Sequence, residues 1–158
     1  MKKLLLLLFA FPALLLMQSC SKAVSSPAYT QVDVSQIVGS WYLNEASEVS
    51  GGTWNTFKTG LEKGIFTFYE NGAAVYDDGF NHMEGTWTIV TVSDGYYDQY
   101  GVFHADLHES FRVRLFDPNT RNSINLSFDE FSATGGMLTG TSYVGHTVTR
   151  YVFYRYIR

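Results

Sequence analysis

From Ile37 onward, apolar and polar residues alternate in short runs broken by turn residues, and no run keeps the 3.6-residue period of a helix. That pattern confines the fold to β structure. The first run, Ile37-Val38-Gly39-Ser40-Trp41-Tyr42-Leu43, predicts a strand over 37–44 carrying a tryptophan that must leave water. Glu45 to Lys63 hold three glycines and little alternation. They read as a long connection with an edge strand near Trp54–Phe57, or a lid over one end of the domain. Ile65-Phe66-Thr67-Phe68-Tyr69-Glu70 then runs through Asn71-Gly72 into Ala73-Ala74-Val75-Tyr76-Asp77. Asn-Gly suits the two positive-φ positions of a type I′ turn, which pairs Phe68 with Val75 and Tyr69 with Ala74.

Met83, Gly85, Trp87 and Ile89 mark one face of the next strand, and a loop from Ser93 to Gly101 follows. Beyond it, Phe103, Ala105, Leu107, Phe111, Val113 and Leu115 share one face. His104, Asp106, His108, Ser110, Arg112 and Arg114 share the other. One strand over 102–116 would run to about 50 Å, too long for a domain of this size, so a break falls near His108–Ser110. Asp117-Pro118-Asn119-Thr120, Gly135-Gly136 and Gly145-His146 separate three further strands. The total is about eight to ten strands. No segment suits a crossover helix, so the sheet is all-β and antiparallel. An up-and-down β-barrel protects the edges of such a meander best.

The start of the chain has a different character. Met1-Lys2-Lys3 precedes an apolar run from Leu4 to Leu16, a positive segment and a short hydrophobic segment of the secretory kind. The run is too short to span a bilayer. It leads to Cys20, the single cysteine, and resembles a bacterial lipoprotein signal in which that cysteine is acylated after cleavage. The expected organisation is therefore a signal peptide over 1–19, a lipidated N-terminus and flexible tether over 20–36, and a β domain over 37–158. Acyl chains on Cys20 would hold the protein on a membrane face. Ser21, rather than Asp, after the cysteine resembles outer-membrane sorting in a Gram-negative bacterium. Without the signal, nine basic residues face 15 acidic ones, a net charge of −6. That balance argues against nucleic acid as a partner. With Cys20 acylated no thiol is left for a disulfide, and stability must come from packing.

In the β region, Val38-Gly39-Ser40-Trp41-Tyr42-Leu43, Phe66-Thr67-Phe68-Tyr69-Glu70-Asn71-Gly72, Gly85-Thr86-Trp87-Thr88-Ile89 and the closing Tyr154-Arg155-Tyr156 together resemble the lipocalin-like domains of small bacterial lipoproteins. The resemblance covers roughly 37–158. It implies that Trp41 packs at the closed end of a barrel beneath Arg155, a structural role. It also implies a small hydrophobic or amphipathic ligand in the barrel mouth.

Motifs for chemistry are sparse. His104, Asp106 and His108 share a strand face, but the two histidines stand about 13 Å apart along a strand, too far for one metal shell. Asp94 to Asp98 lacks the ligand spacing of a calcium loop. No nucleophile elbow, phosphate loop or His-Glu-x-x-His is present. The sequence therefore predicts no enzyme, no metal and no cofactor. Trp54, Phe57, Tyr96, Tyr97 and Tyr100 are aromatics outside the strongest strands and form the candidate ligand-binding set. Against an open lumen stand eight large rings expected to face inward: Trp41, Phe66, Phe68, Trp87, Phe103, Phe111, Phe128 and Phe153. An eight-stranded barrel is only just wide enough for its own side chains. The alternative is a filled barrel serving as an interaction or structural module of the envelope, with the His/Asp/Arg face and the tyrosine loop as its contact surface.

Overall fold

The structure is a computed structural model that describes residues 33–157 except 51, 99, 106 and 146. The expected signal, Cys20, most of the expected tether, Asp106 and His146 lie outside the described residues. Twelve strands are present among the described residues: β1 (Gly39–Ser50), β2 (Thr53–Phe57), β3 (Ile65–Phe68), β4 (Ala73–Asp77), β5 (His82–Val92), β6 (Tyr96–Tyr97), β7 (Phe103–His104), β8 (His108–Phe116), β9 (Ser123–Phe128), β10 (Glu130–Thr134), β11 (Met137–Val144) and β12 (Thr147–Arg155). Every ladder is antiparallel. Among the described residues no helix is long and apolar enough to cross a membrane.

The main sheet runs β10-β11-β12-β1-β3-β4-β5-β8-β9, with β2 paired to the far half of β1. The last strand thus lies against the first, and the rest is a meander. A closed ring of ladders, expected from the sequence, is not found. β9 bonds β8 and β10 bonds β11, and Asp129 joins these two path ends along the chain with no ladder between them. The chain bends there. Asp129 N donates to Thr141 O at 2.9 Å, its Oδ2 accepts Tyr143 N at 2.8 Å, and Ser142 Oγ donates to Ser127 O. These bonds tie the corner to β11 in place of a regular ladder.

On β1 the register against β12 shifts between Leu43 and Glu45. One extra residue at Asn44 changes the inward spacing from two to three, so Leu43 and Ala46 are both buried. The edge strand expected near Trp54–Phe57 is β2.

The hairpin after β3 differs from the expected type I′ turn. Thr67 pairs with Val75 and Phe68 with Ala74, one residue away from the expected register. Gly72 N donates to Tyr69 O at 3.0 Å, and Tyr69 N to Ala73 O at 3.0 Å. Gly72 has φ +82° and Asn71 has no positive φ. This is a three-residue loop closed by a glycine bulge. Asn71 stays on the ordinary side because its Oδ1 accepts Ala73 N at 3.0 Å. The shift turns Tyr76 inward instead of Val75.

Further along, the expected break at His108–Ser110 falls earlier, because β7 ends at His104 and β8 begins at His108. Phe103 is therefore not an inward ring: it is 53% exposed, in the short β6–β7 hairpin, against Tyr97. The other seven expected rings have exposures of 0–4%. Phe66 meets Tyr76 at 4.8 Å and Phe153 at 5.6 Å between centroids. Phe111 meets Phe68 at 5.5 Å, Trp87 at 5.9 Å and Phe128 at 6.0 Å. Val113, Leu115, Ile124 and Leu138 complete the core. Both core indoles satisfy their N–H on backbone, Trp41 on Ile37 O at 2.7 Å and Trp87 on Tyr69 O at 2.8 Å. Gly85, two places before Trp87, admits β8: a Cβ there would stand 2.0 Å from Arg114 O.

Candidate functional site

Two aromatic assemblies stand out, at Trp41 and at Tyr96. At the first, Trp41 and Arg155 are opposed across the β1–β12 ladder, and the guanidinium carbon lies 4.4 Å from the indole centroid. Arg155 Nη1 donates to Val38 O at 2.9 Å and Nη2 to Gln36 O at 2.8 Å. Gln36 ends a single 3-10 turn over Val34–Gln36, capped by the Asp33 carboxylate, and Val38 lies between that turn and β1. The residues expected at the end of a tether thus form a turn. Gly39, at φ +130°, leaves the space that the guanidinium occupies. Every polar atom named here has a backbone partner, so the assembly closes one end of the sheet and offers no reactive group.

The second assembly was not legible as a unit. The β6–β7 hairpin folds over β11 and places Tyr96 between two rings: His104 at 5.1 Å and Tyr143 at 4.6 Å, each within 14° of parallel. His108 meets the same Tyr96 edge-on at 5.0 Å. The Tyr96 hydroxyl donates to Glu130 Oε1 at 2.9 Å, and the Tyr143 hydroxyl to Glu130 Oε2 at 2.8 Å. Burial pushes both phenols up, and the Glu130 carboxylate adds to the effect. His104 Nε2 lies 3.0 Å from Asp98 Oδ2. That contact, helped by the amides of Val102 and Tyr100, holds the Asp98 carboxyl below the usual range. The cluster has acids, phenols and imidazoles, the raw material of proton transfer. Yet both Glu130 oxygens are taken by phenols, and His104 is held by Asp98. The groups hold the hairpin down on the sheet.

Sequence reasoning missed Tyr143 and the role of Asp129 and Glu130. Glu130 lies 34 residues from Tyr96 and 13 from Tyr143, and only the corner at Asp129 brings them together. No local pattern carries that information.

The remaining ligand candidates go to different neighbours. Trp54 lies under Arg150, with the guanidinium carbon 4.3 Å from the ring centroid. Phe57 packs edge-on against Tyr151 at 6.3 Å. Tyr97 is 52% and Tyr100 81% exposed. The rings of the set therefore do not converge on one concave surface. Four grooves on the described surface are lined by residues other than the seven core rings. Among the described residues no group of three or more His, Cys, Asp or Glu could hold a metal ion. No family model, curated protein or solved structure matches the chain.

Proposed function

We propose that this protein is a lipid-anchored envelope protein, held on the outer membrane through Cys20, whose lipocalin-like barrel is filled by its own side chains and works as an interaction module through its exterior. The observation that carries this reading is the inner ring network. Seven large rings have exposures of 0–4%, six of them, all but Trp41, touch one another across the sheet, and together they occupy the volume a carrier would keep for cargo. Completion of the barrel through the bend at Asp129 belongs to the same reading: β9 and β10 act as one strand, bonded to β8 in its first half and to β11 in its second. Tyr97, Tyr100 and the outward side chains of β8 then form the surface offered to a partner.

Native mass spectrometry of the mature protein, isolated from its own host, tests the filled interior. The expected native mass equals the denatured mass. A discrete excess of one small molecule, lost on denaturation, would overturn the reading in favour of an apolar-ligand carrier. Labelling with a palmitate analogue tests the anchor: wild type should take the label and Cys20→Ser should not. Equal labelling of both would remove the anchor from the proposal.

A further inference from the structure

The outer face of β5, β8 and β9 carries an arginine pair with no side-chain ion pair or hydrogen bond among the described residues. Arg112 and Arg114 are two residues apart on β8, so their side chains leave the same face about 7 Å apart. The register sets Thr88 and Ser127 on either side of Arg112, and Thr86 and Asn125 on either side of Arg114. The face is thus two parallel rungs, each with a guanidinium between uncharged polar groups. Both arginines line two adjoining grooves, of about 370 Å³ towards β9 and about 200 Å³ towards β5, and no carboxylate lines either groove. Glu84, one rung beyond Thr86, has its Oε1 3.0 Å from His82 Nε2.

Neither arginine has an ion pair or hydrogen bond among the described residues, whereas Arg150 and Arg155 each cover an indole. Arg112 Nε has in addition lost solvent contact without gaining an acceptor. A donor taken out of water with no acceptor is costly, and an adjacent negative charge offsets part of that cost. In a domain of net charge −6, two uncompensated guanidiniums on one face are a local reversal of sign.

We propose that this face is a binding site for an oxyanion, a phosphate group, held between Arg112 and Arg114 with its remaining oxygens on the hydroxyls of Thr86, Thr88 and Ser127. Guanidinium forks match phosphate oxygens in pairs, which a point-charge ammonium does not. A free phosphate and the phosphate of a lipid headgroup share this chemistry. The site needs neither a filled interior nor the lipid anchor, so it stands or falls separately from the reading above.

The test follows the arginine Nε–Hε resonances of the isotope-labelled mature protein in a neutral detergent. Inorganic phosphate and glycerophosphoglycerol, a deacylated lipid headgroup, are titrated separately. Saturable shifts are expected at Arg112 and Arg114, with Arg150 and Arg155 unmoved. Arg112→Gln and Arg114→Gln should each weaken binding by roughly tenfold or more, with the urea midpoint unchanged. Arg112→Lys keeps the charge and checks that the fold tolerates the position. Saturation by inorganic phosphate alone identifies a free anion; saturation by the phosphodiester identifies a headgroup. No saturable shift with either probe, or unchanged affinity in the double Arg112→Gln/Arg114→Gln variant, would overturn the site.

Discussion

Arg155 lies over Trp41 at 4.4 Å and donates from the same guanidinium to two carbonyls of the segment leading into β1. One side chain on the last strand therefore fixes the first strand, its indole and the turn before it. Arg155→Ala should cost about 2 kcal/mol in urea unfolding, from the lost cation–π contact and two charge-assisted hydrogen bonds. Gly39→Ala should cost about 1–2 kcal/mol for its positive φ alone. A Cβ at Gly39 would also stand 2.3 Å from Arg155 Nη1, so the double variant should lose less than the sum. Additive losses would separate the two residues.

The turn at Asn71-Gly72 makes an asymmetric prediction. Gly72→Ala forces a side chain into φ +82° and should cost about 1–2 kcal/mol. Asn71→Ala loses only the bond to Ala73 N and should cost about 0.5–1 kcal/mol. A gain in stability for Asn71→Gly, as a turn with two positive-φ positions would give, would speak against the bulged three-residue loop.

Phe111 sits at the centre of the inner rings, against Phe68, Trp87, Phe128 and Phe131. Phe111→Ala should cost about 3–5 kcal/mol. It should also open an apolar cavity, so the variant gains saturable uptake of benzene that the wild type lacks. Equal uptake by both proteins would point to space already present in the wild type.

Tyrosine ionisation should destabilise the fold. Burial, followed by the nearby Asp78, pushes Tyr76 up to about 12 from an ordinary 10. A folded-state pKa above the unfolded value means that the folded protein holds the proton more tightly. The contribution is complete below pH 10 and is lost as pH rises from 10 through 12. Absorbance titration should show Tyr76, Tyr96 and Tyr143 ionising above the ordinary tyrosine range. Glu130→Gln removes a negative acceptor and should move Tyr96 and Tyr143 down while leaving Tyr76 in place.

Much of the β architecture could be read directly because strand alternation is local. Trp41, Phe66, Phe68, Trp87, Phe111, Phe128 and Phe153 could be assigned to the interior from parity alone. Phe103 escaped because alternation continues through residues that the chain uses as a hairpin, and period-2 pattern does not say where a strand stops. The Asn71-Gly72 turn could be located but not its register. Packing decided that: Tyr76 turns inward beneath Phe66 because Gly64 leaves room for its ring, where a Cβ would stand 2.2 Å away.

What the sequence by itself determined is whatever one strand expresses alone: the antiparallel all-β class and the inward face of most strands. The tertiary structure decided which strands became neighbours. Only then did Arg155 reach Trp41, Glu130 reach Tyr96 and Tyr143, and Thr88 and Ser127 flank Arg112. The physical reason is that side-chain direction follows backbone parity within a few residues. Proximity across a sheet follows register, which is fixed by bulges, corners and the fit of rings from distant parts of the chain.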